Sequence, residues 1–166
     1  MDKLSFVLYK GIECSIKIIS YPGKNTQIVF REDSFVIYIN KNCEDSRKYS
    51  EVAKHLELWL REKAKEAIAD RTMEYSEIIG VSYNNIRIKD TKSRWGSCSG
   101  RGNLNFSWRI IMTPAIVMDY IIIHELCHLR HLNHSKEYWK TVEQYMPDYR
   151  RHKEWLKING TKLRIY

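Results

Sequence analysis

The hydrophobic residues of the first forty positions fall in short runs that are rich in β-branched and aromatic side chains, a pattern typical of β-strands. Segments rich in Gly, Pro, Asn and Asp separate these runs and favour turns. The last two runs are close enough, across residues 31–34, to form a hairpin. We therefore predict four strands, at residues 6–9, 14–19, 27–30 and 35–39.

From about residue 46 the hydrophobic positions recur every three or four residues, which indicates an amphipathic helix. This helix is predicted to continue to about residue 70. A second helical segment is predicted to end at Ile79, because Gly80 favours the left-handed conformation that ends helices. The recurring positions are Val52, His55, Leu56, Trp59, Leu60, Lys63 and Ala64.

The second half of the chain combines strands with helices. Two more strands are predicted, at residues 81–88 and 102–111, around a segment rich in turn-forming residues. Three helices are predicted to follow, at residues 114–131, 135–145 and 148–158.

This order of elements predicts an α+β fold, with N-terminal β-hairpins, a mixed sheet and flanking helices. A chain of 166 residues is long enough for one hydrophobic core, so we predict a single domain. Its parts are a β-hairpin region at 1–45, a helical region at 46–80, a sheet region at 81–112, and further helices at 113–166.

The composition narrows the class of protein. With 43% hydrophobic and 29% charged residues, the chain has the composition of a soluble globular protein. It shows no apolar stretch long enough for a membrane span and no secretory pattern in its first twenty residues, so we expect no membrane association and a cytoplasmic location. The four cysteines contain no C-x-x-C pair, which excludes a cysteine-based zinc ribbon and predicts reduced, packed thiols.

The formal net charge is +8, which is compatible with a nucleic-acid partner. A run of charge on a helix is usually its solvated face, so nucleic-acid association is the secondary interpretation. The basic residues of the predicted helices include Lys63, Lys65, Arg150, Arg151 and Lys153.

The segment His124-Glu125-Leu126-Cys127-His128 is an H-E-x-x-H pattern inside a largely apolar predicted helix. Residues four apart lie on one helix face, so both imidazoles can bind one metal ion. Glu125 lies about 100° round the helix from His124, where its carboxylate can reach a water at the metal. Thr113 is predicted to be the N-cap of this helix, with Pro114 in the first helical position.

A catalytic zinc ion needs a third protein ligand and keeps a fourth position for water. The rise from His124 to His131 along a straight helix is about 10.5 Å, too far for one ion to bind both. A turn at Leu132-Asn133 would bring His134 back, so His134 is the preferred third ligand. A purely structural metal site and a hydrogen-bonded pair of core histidines are alternatives for the whole motif. The alternative third ligands are Glu143, Glu137 and His131.

Several motifs in register closely resemble the YgjP-like family of predicted zinc metallopeptidases, which is related to the SprT-like and WLM zincins. The resemblance implies a zincin-type domain in which His124, His128 and His134 bind zinc and Glu125 is the catalytic base. It also implies a mixed sheet whose edge strand, here residues 104–109, lies beside the cleft. The motifs are Arg94-Trp95-Gly96-Ser97-Cys98, residues 104–109, residues 119–128, and Asn133-His134-Ser135 with Tyr138-Trp139.

These observations predict a zinc-dependent metallopeptidase that hydrolyses the peptide bonds of a polypeptide substrate. A nucleic-acid-associated protease, by analogy with the SprT-like relatives, and a metal-dependent hydrolase of non-peptide substrates are the alternatives. Trp95 and Trp139 are interpreted as core packing, and Gly96 as a residue of a tight turn. The candidates for the group that stabilises an oxyanion are Tyr120, Tyr145, Tyr149 and Arg94.

Overall fold

The computed structural model describes residues 4–165, which form two small β-sheets and four α-helices, as the α+β prediction requires. Residues 1–3 of the predicted β-hairpin region and Tyr166 at the end of the last region lie outside the described residues. None of the described helices is both long enough and apolar enough to pass through a bilayer. The assignment of residues 1–166 to one domain stays a prediction.

Four strands form the first sheet, in the order β1-β2-β4-β3. The β3–β4 hairpin predicted across residues 31–34 is confirmed, β1 and β2 form a second antiparallel hairpin, and β2 runs parallel to β4. Alternate residues of β4 are buried, and Phe35 among them packs edge-on against Trp59 of the following helix. The strands are β1 (Phe6–Tyr9), β2 (Ile12–Tyr21), β3 (Gln27–Arg31) and β4 (Ser34–Asn40).

Helix α1 (Asp45–Ile79) is continuous over 35 residues, so the predicted interruption near residue 70 is wrong. Its buried stripe continues through Thr72 and Ser76, whose small polar side chains weaken the hydrophobic pattern without ending the helix. The predicted end is confirmed. Gly80 has a φ of 72°, and its N–H donates to the carbonyl groups of Ser76 and Glu77.

Three strands form the second sheet, in the order β5-β7-β6. They are β5 (Asn85–Lys89), β6 (Gly96–Cys98) and β7 (Asn103–Ser107), and residues 108–112 continue as a 3-10 helix. The prediction that residues 104–109 form the edge strand is therefore wrong, because β7 is the central strand and pairs with both neighbours. The edge strand beside the candidate site is β6, which the sequence pattern does not reveal because it has only three residues within a turn-rich segment.

Helix α2 (Ala115–Cys127) carries the H-E-x-x-H pattern and contacts α1, α3 (Lys136–Tyr145) and α4 (Tyr149–Asn159). Its N-cap is Pro114 and not Thr113, because the hydroxyl group of Thr113 donates to the carbonyl of Ile110. The helix also ends earlier than predicted, with His128 as its C-cap. The chain is therefore free to turn back directly after the motif.

A charged pair fixes α2 to α1. The guanidinium of Arg71 donates to both carboxylate oxygens of Asp119, at 2.8 and 2.5 Å, and the hydroxyl of Tyr75 donates to the same carboxylate at 3.2 Å. Asp119 is only 4% exposed. Since a buried carboxylate without its cation is strongly destabilising, Arg71 holds the helix of the candidate site against the longest helix of the fold.

Candidate metal centre

Helix α2 places two imidazoles on one face. His124 and His128 lie one helical turn apart, and their ring centroids are 5.1 Å from each other. After Cys127 the chain turns back through residues 128–134 to Ser135, the N-cap of α3, whose hydroxyl accepts from the N–H of Tyr138.

The return of the chain brings a third imidazole to this pair. Nε2 of His134 lies 3.2 Å from Nε2 of His124. One ring nitrogen from each of His124, His128 and His134 lies within 4.8 Å of the other two. Two ligands about 2.1 Å from a common ion are separated by at most about twice that length, so small ring rotations suffice for one ion to bind all three.

A contact of the His128 ring determines which of its two nitrogens it can offer to a metal ion. Nδ1 of His128 lies 3.0 Å from the carbonyl oxygen of His131, so this nitrogen carries the proton and donates, and Nε2 is left for a metal. The ring of Tyr138 stacks on His128 at 4.5 Å, and its hydroxyl donates to the carbonyl of His124 at 2.9 Å. Tyr138 thus fixes both the ring and the backbone of this helical turn.

The three other candidate ligands do not converge on this site. Nε2 of His131 lies 3.1 Å from the hydroxyl of Thr141 on α3. The carboxylate of Glu143 accepts from Arg150 at 2.7 Å, and Glu137 is exposed on the first turn of α3. The geometry therefore favours His134 over each of them.

The electrostatic surroundings suit a metal ion. Burial is the largest cause that lowers the pKa of His124, and together with the neighbouring His128, His134 and Lys153 it brings this pKa to about 3. Burial also lowers the pKa of His128. Both rings are therefore neutral at pH 7, which is the form that binds a metal. Three imidazole nitrogens at one point fit a divalent cation that retains an open position.

Glu125 lies on the neighbouring face of α2 and is only 5% exposed. Burial raises the pKa of its carboxyl group to about 8, and the positive charge of Arg94 opposes that shift. The side chain packs directly against Gly96 of β6, where an added Cβ would lie 2.7 Å from Cγ and from Oε1 of Glu125. Gly96 therefore makes room for this carboxyl group. The interpretation as a tight-turn residue is wrong, because Gly96 lies in a strand and its φ is not positive.

A cleft of about 370 Å³ opens beside His124 and Glu125. Trp95 and Trp139 are partly buried and pack against the core, as predicted. Each also has a contact at the site, because Trp95 lines this cleft and the ring of Trp139 stacks on His134 at 5.6 Å. Cys127, by contrast, is a fully buried free thiol, as predicted.

Two of the four oxyanion candidates line the cleft, namely Arg94 and Tyr120. Burial raises the pKa of Tyr120 to about 12, so its phenol stays protonated and can donate. The hydroxyl of Tyr145 instead points to the carbonyl of Ile79, and the ring of Tyr149 stacks on Trp139. Arg94 and Tyr120 are therefore the candidates that the position of the cleft favours.

Helix α4 contributes lining residues that the sequence does not link to the site, namely Lys153, Leu156 and Lys157. Lys153 is noticeable in the sequence only as part of a basic run. Nothing in the spacing of α4 relates it to a motif about thirty residues earlier, because the relation depends on how α4 packs against α2.

A model of the YgjP-like family, described as a metallopeptidase domain, matches residues 3–159 of the chain. Among solved structures, the chain is similar to the metallopeptidase zymogen abylysin of Pyrococcus abyssi, with 29% identity and a TM-score of 0.50 over 58% of this chain and 94% of that one. It is also similar to the metallopeptidase zymogen jannalysin of Methanocaldococcus jannaschii, with 24% identity and a TM-score of 0.48 over 57% of this chain and 95% of that one. No curated protein matches the sequence.

Proposed function

Because the chain belongs to the YgjP-like metallopeptidase family, we propose that it is a zinc-dependent peptidase in which His124, His128 and His134 bind the metal and Glu125 is the general base. The observation that carries this proposal is the convergence of three imidazole nitrogens within 4.8 Å, next to a buried carboxyl group.

The donor set supports zinc as the metal. Three neutral imidazoles with one open position are a common arrangement of catalytic zinc. Among the described residues, the possible ligand atoms that lie within 4.8 Å of one another here belong to the three histidines, and no cysteine joins the group. A softer metal that requires thiolates is therefore disfavoured.

When bound, zinc acidifies water and polarises the carbonyl group of the scissile peptide bond. The carboxylate of Glu125 accepts a proton from the attacking water and delivers it to the nitrogen of the leaving amine. Glu125 suits both roles because burial brings its pKa close to neutral pH. The phenol of Tyr120 and the guanidinium of Arg94 are the donors in the cleft that can bind the oxygen of the scissile carbonyl.

The ligand assignment is tested by the metal content of the purified chain. After dialysis against a weak chelator, the wild type is expected to hold one zinc ion per chain and His134→Ala to hold much less. His131→Ala is the matched control, because His131 also lies after α2 but contacts Thr141 through its ring. Retention of zinc by His134→Ala together with its loss from His131→Ala would overturn the assignment.

The role of Glu125 is tested by Glu125→Gln, which keeps the size of the side chain and removes its base. Zinc content should stay at the wild-type level, and hydrolysis of an unfolded, fluorophore-labelled protein should fall by about 10²- to 10⁴-fold, the usual contribution of a general base. Wild-type turnover by this variant would reject the proposed base.

A further inference from the structure

The cleft beside the metal centre has an unusual balance of charge. Among the described residues that line it, the cationic side chains are Arg94, Lys153 and Lys157, whereas the only carboxyl group is that of Glu125. Glu125 is the proposed general base and is buried, so it does not offset the positive charge at the mouth of the cleft. The rest of the lining is largely apolar and includes Trp95, Tyr120, Ile121 and Leu156.

Two of these cations border the same space as the catalytic groups, since Arg94 and Lys153 line the cleft together with His124 and Glu125. Because Coulomb interactions weaken with distance, cations at these positions act most strongly on charged groups that are bound in the cleft.

The cations of the cleft lack strong partners. Among the residues that the structure describes, neither Arg94 nor Lys153 forms an ion pair, although the ammonium of Lys153 lies 4.6 Å from the centre of the Trp139 ring. Lys157 lies 3.9 Å from Glu154, and both side chains are more than half exposed. An exposed ion pair of this kind is weak, so Lys157 can readily exchange Glu154 for the carboxylate of a bound molecule.

We propose that this cleft selects peptides that carry a carboxylate close to the scissile bond, a specificity that rests on the peptidase function proposed above. The apolar lining contacts the backbone and the methylene groups of such a peptide, and Lys153 and Lys157 pair with its carboxylate. A lysine or arginine of the substrate at the same place would be repelled. The carboxylate is either an Asp or Glu side chain or the free C-terminus of the peptide.

Binding to zinc-loaded Glu125→Gln protein tests the specificity without turnover. Fluorescent peptides with an amidated C-terminus and either Glu, Gln or Lys at one central position are titrated by anisotropy. The Glu peptide is expected to bind about five- to tenfold more tightly than the Gln peptide, and the Lys peptide more weakly than both, as for one or two partly exposed ion pairs. A further neutral peptide with a free C-terminus reveals which kind of carboxylate is preferred.

Charge reversal then locates the selectivity. Lys153→Glu with Lys157→Glu should reverse the order of the Glu and Lys peptides. The control is Lys54→Glu with Lys65→Glu, which changes the net charge equally at two exposed positions of α1 and should keep the wild-type order. Lys157→Gln alone provides a milder variant, since Lys153 also packs on Trp139, and it should reduce the preference for Glu several-fold.

Equal affinity for the three central residues, or a preference that the α1 control abolishes as well, overturns the proposal. Tight binding of an oligonucleotide that depends on Lys153 and Lys157 and displaces the Glu peptide also overturns it, since the surface would then serve phosphates. Peptide selectivity in a protein without any hydrolytic activity would reject the proposed catalysis and leave the carboxylate site standing.

Discussion

A substitution at Gly96 tests whether the edge strand β6 positions the carboxyl group of Glu125. A Cβ at this position would lie 2.7 Å from the side chain of Glu125, whereas ordinary contacts begin at 3.4 Å. In Gly96→Ala the carboxyl group of Glu125 must therefore move by about 0.7 Å, since closely packed atoms do not overlap. Displacements of about 1 Å at a reacting group cost up to about 10²-fold in rate.

We expect Gly96→Ala to lower kcat by about 10- to 100-fold, because the substitution displaces the base and leaves the three imidazoles in place. The φ of Gly96 is not positive, so an alanine at this position introduces the contact with Glu125 without backbone strain. The assay is hydrolysis of a quenched fluorescent peptide, with zinc content and the thermal unfolding midpoint measured on the same preparation.

Gly100→Ala is the matched control. Gly100 lies in the turn that follows β6, its φ is not positive, and an added Cβ there would meet no atom within 4 Å. Turnover of Gly100→Ala should equal that of the wild type. If Gly96→Ala also retained wild-type turnover, the close approach of β6 to Glu125 would have no part in positioning the base.

Three further predictions concern stability, pH and partners. Arg71→Ala should lower the free energy of unfolding, measured by chemical denaturation, by about 2 kcal/mol, because it leaves the carboxylate of Asp119 buried without its cation. The control is Arg47→Ala, which should change this free energy by less than about 0.5 kcal/mol because the pair of Arg47 with Glu44 is mostly exposed. In metal-free protein, Glu125 releases its proton near pH 4.5 in the unfolded state but only near pH 8 in the folded state. Between these pH values the free energy of unfolding of the wild type should therefore fall by about 1.4 kcal/mol per pH unit, compared with that of Glu125→Gln, which lacks this carboxyl group. If the free energies of unfolding of the two proteins changed with pH in parallel, the raised pKa of Glu125 would be contradicted. If the chain binds nucleic acid, binding of a DNA oligonucleotide should weaken steeply with salt, and absence of binding at low salt would reject this partner.

The proposed ligand pair and the proposed base could be placed beside each other from the sequence, because one helix determines their relation. Positions i and i+4 of a helix meet on one face whatever surrounds the helix, so His124 and His128 could be paired with no knowledge of the fold. His134 was preferred because the rise of a straight helix separates His131 from His124 by too much for one ion, so that the third ligand has to follow a turn of the chain. Both arguments use local geometry only.

The cleft could not be predicted in the same way. Gly96 contacts Glu125 only because the antiparallel pairing of β6 with β7 places the edge strand beside α2. Lys153 and Lys157 share a face of α4, but the side of the molecule that this face lines depends on how α4 packs against α2. Such relations arise from tertiary packing, and no periodicity of the sequence encodes them.

The continuous helix α1 illustrates a further limit of pattern-based prediction. Thr72 and Ser76 occupy buried positions of the stripe that Leu56, Leu60 and Ile68 begin. Their polarity lowers the hydrophobic signal, although their small side chains fit the closely packed end of the helix. A prediction from hydrophobic positions detects only apolar side chains, whereas Thr72 and Ser76 are buried because their side chains are small enough for the closely packed interior.

The proposed ligands are held with unequal rigidity, and Trp139 connects them to the substrate cleft. His124 and His128 belong to a helix that packing and the Arg71–Asp119 pair fix in place, whereas His134 is exposed on the segment that leads into α3. The indole of Trp139 stacks on His134 and, at 5.1 Å, on the ring of Tyr149, and it also lies 4.6 Å from the ammonium of Lys153. One side chain therefore contacts both the third proposed ligand and a cation of the cleft, so that the proposed metal site and the proposed carboxylate site share a wall.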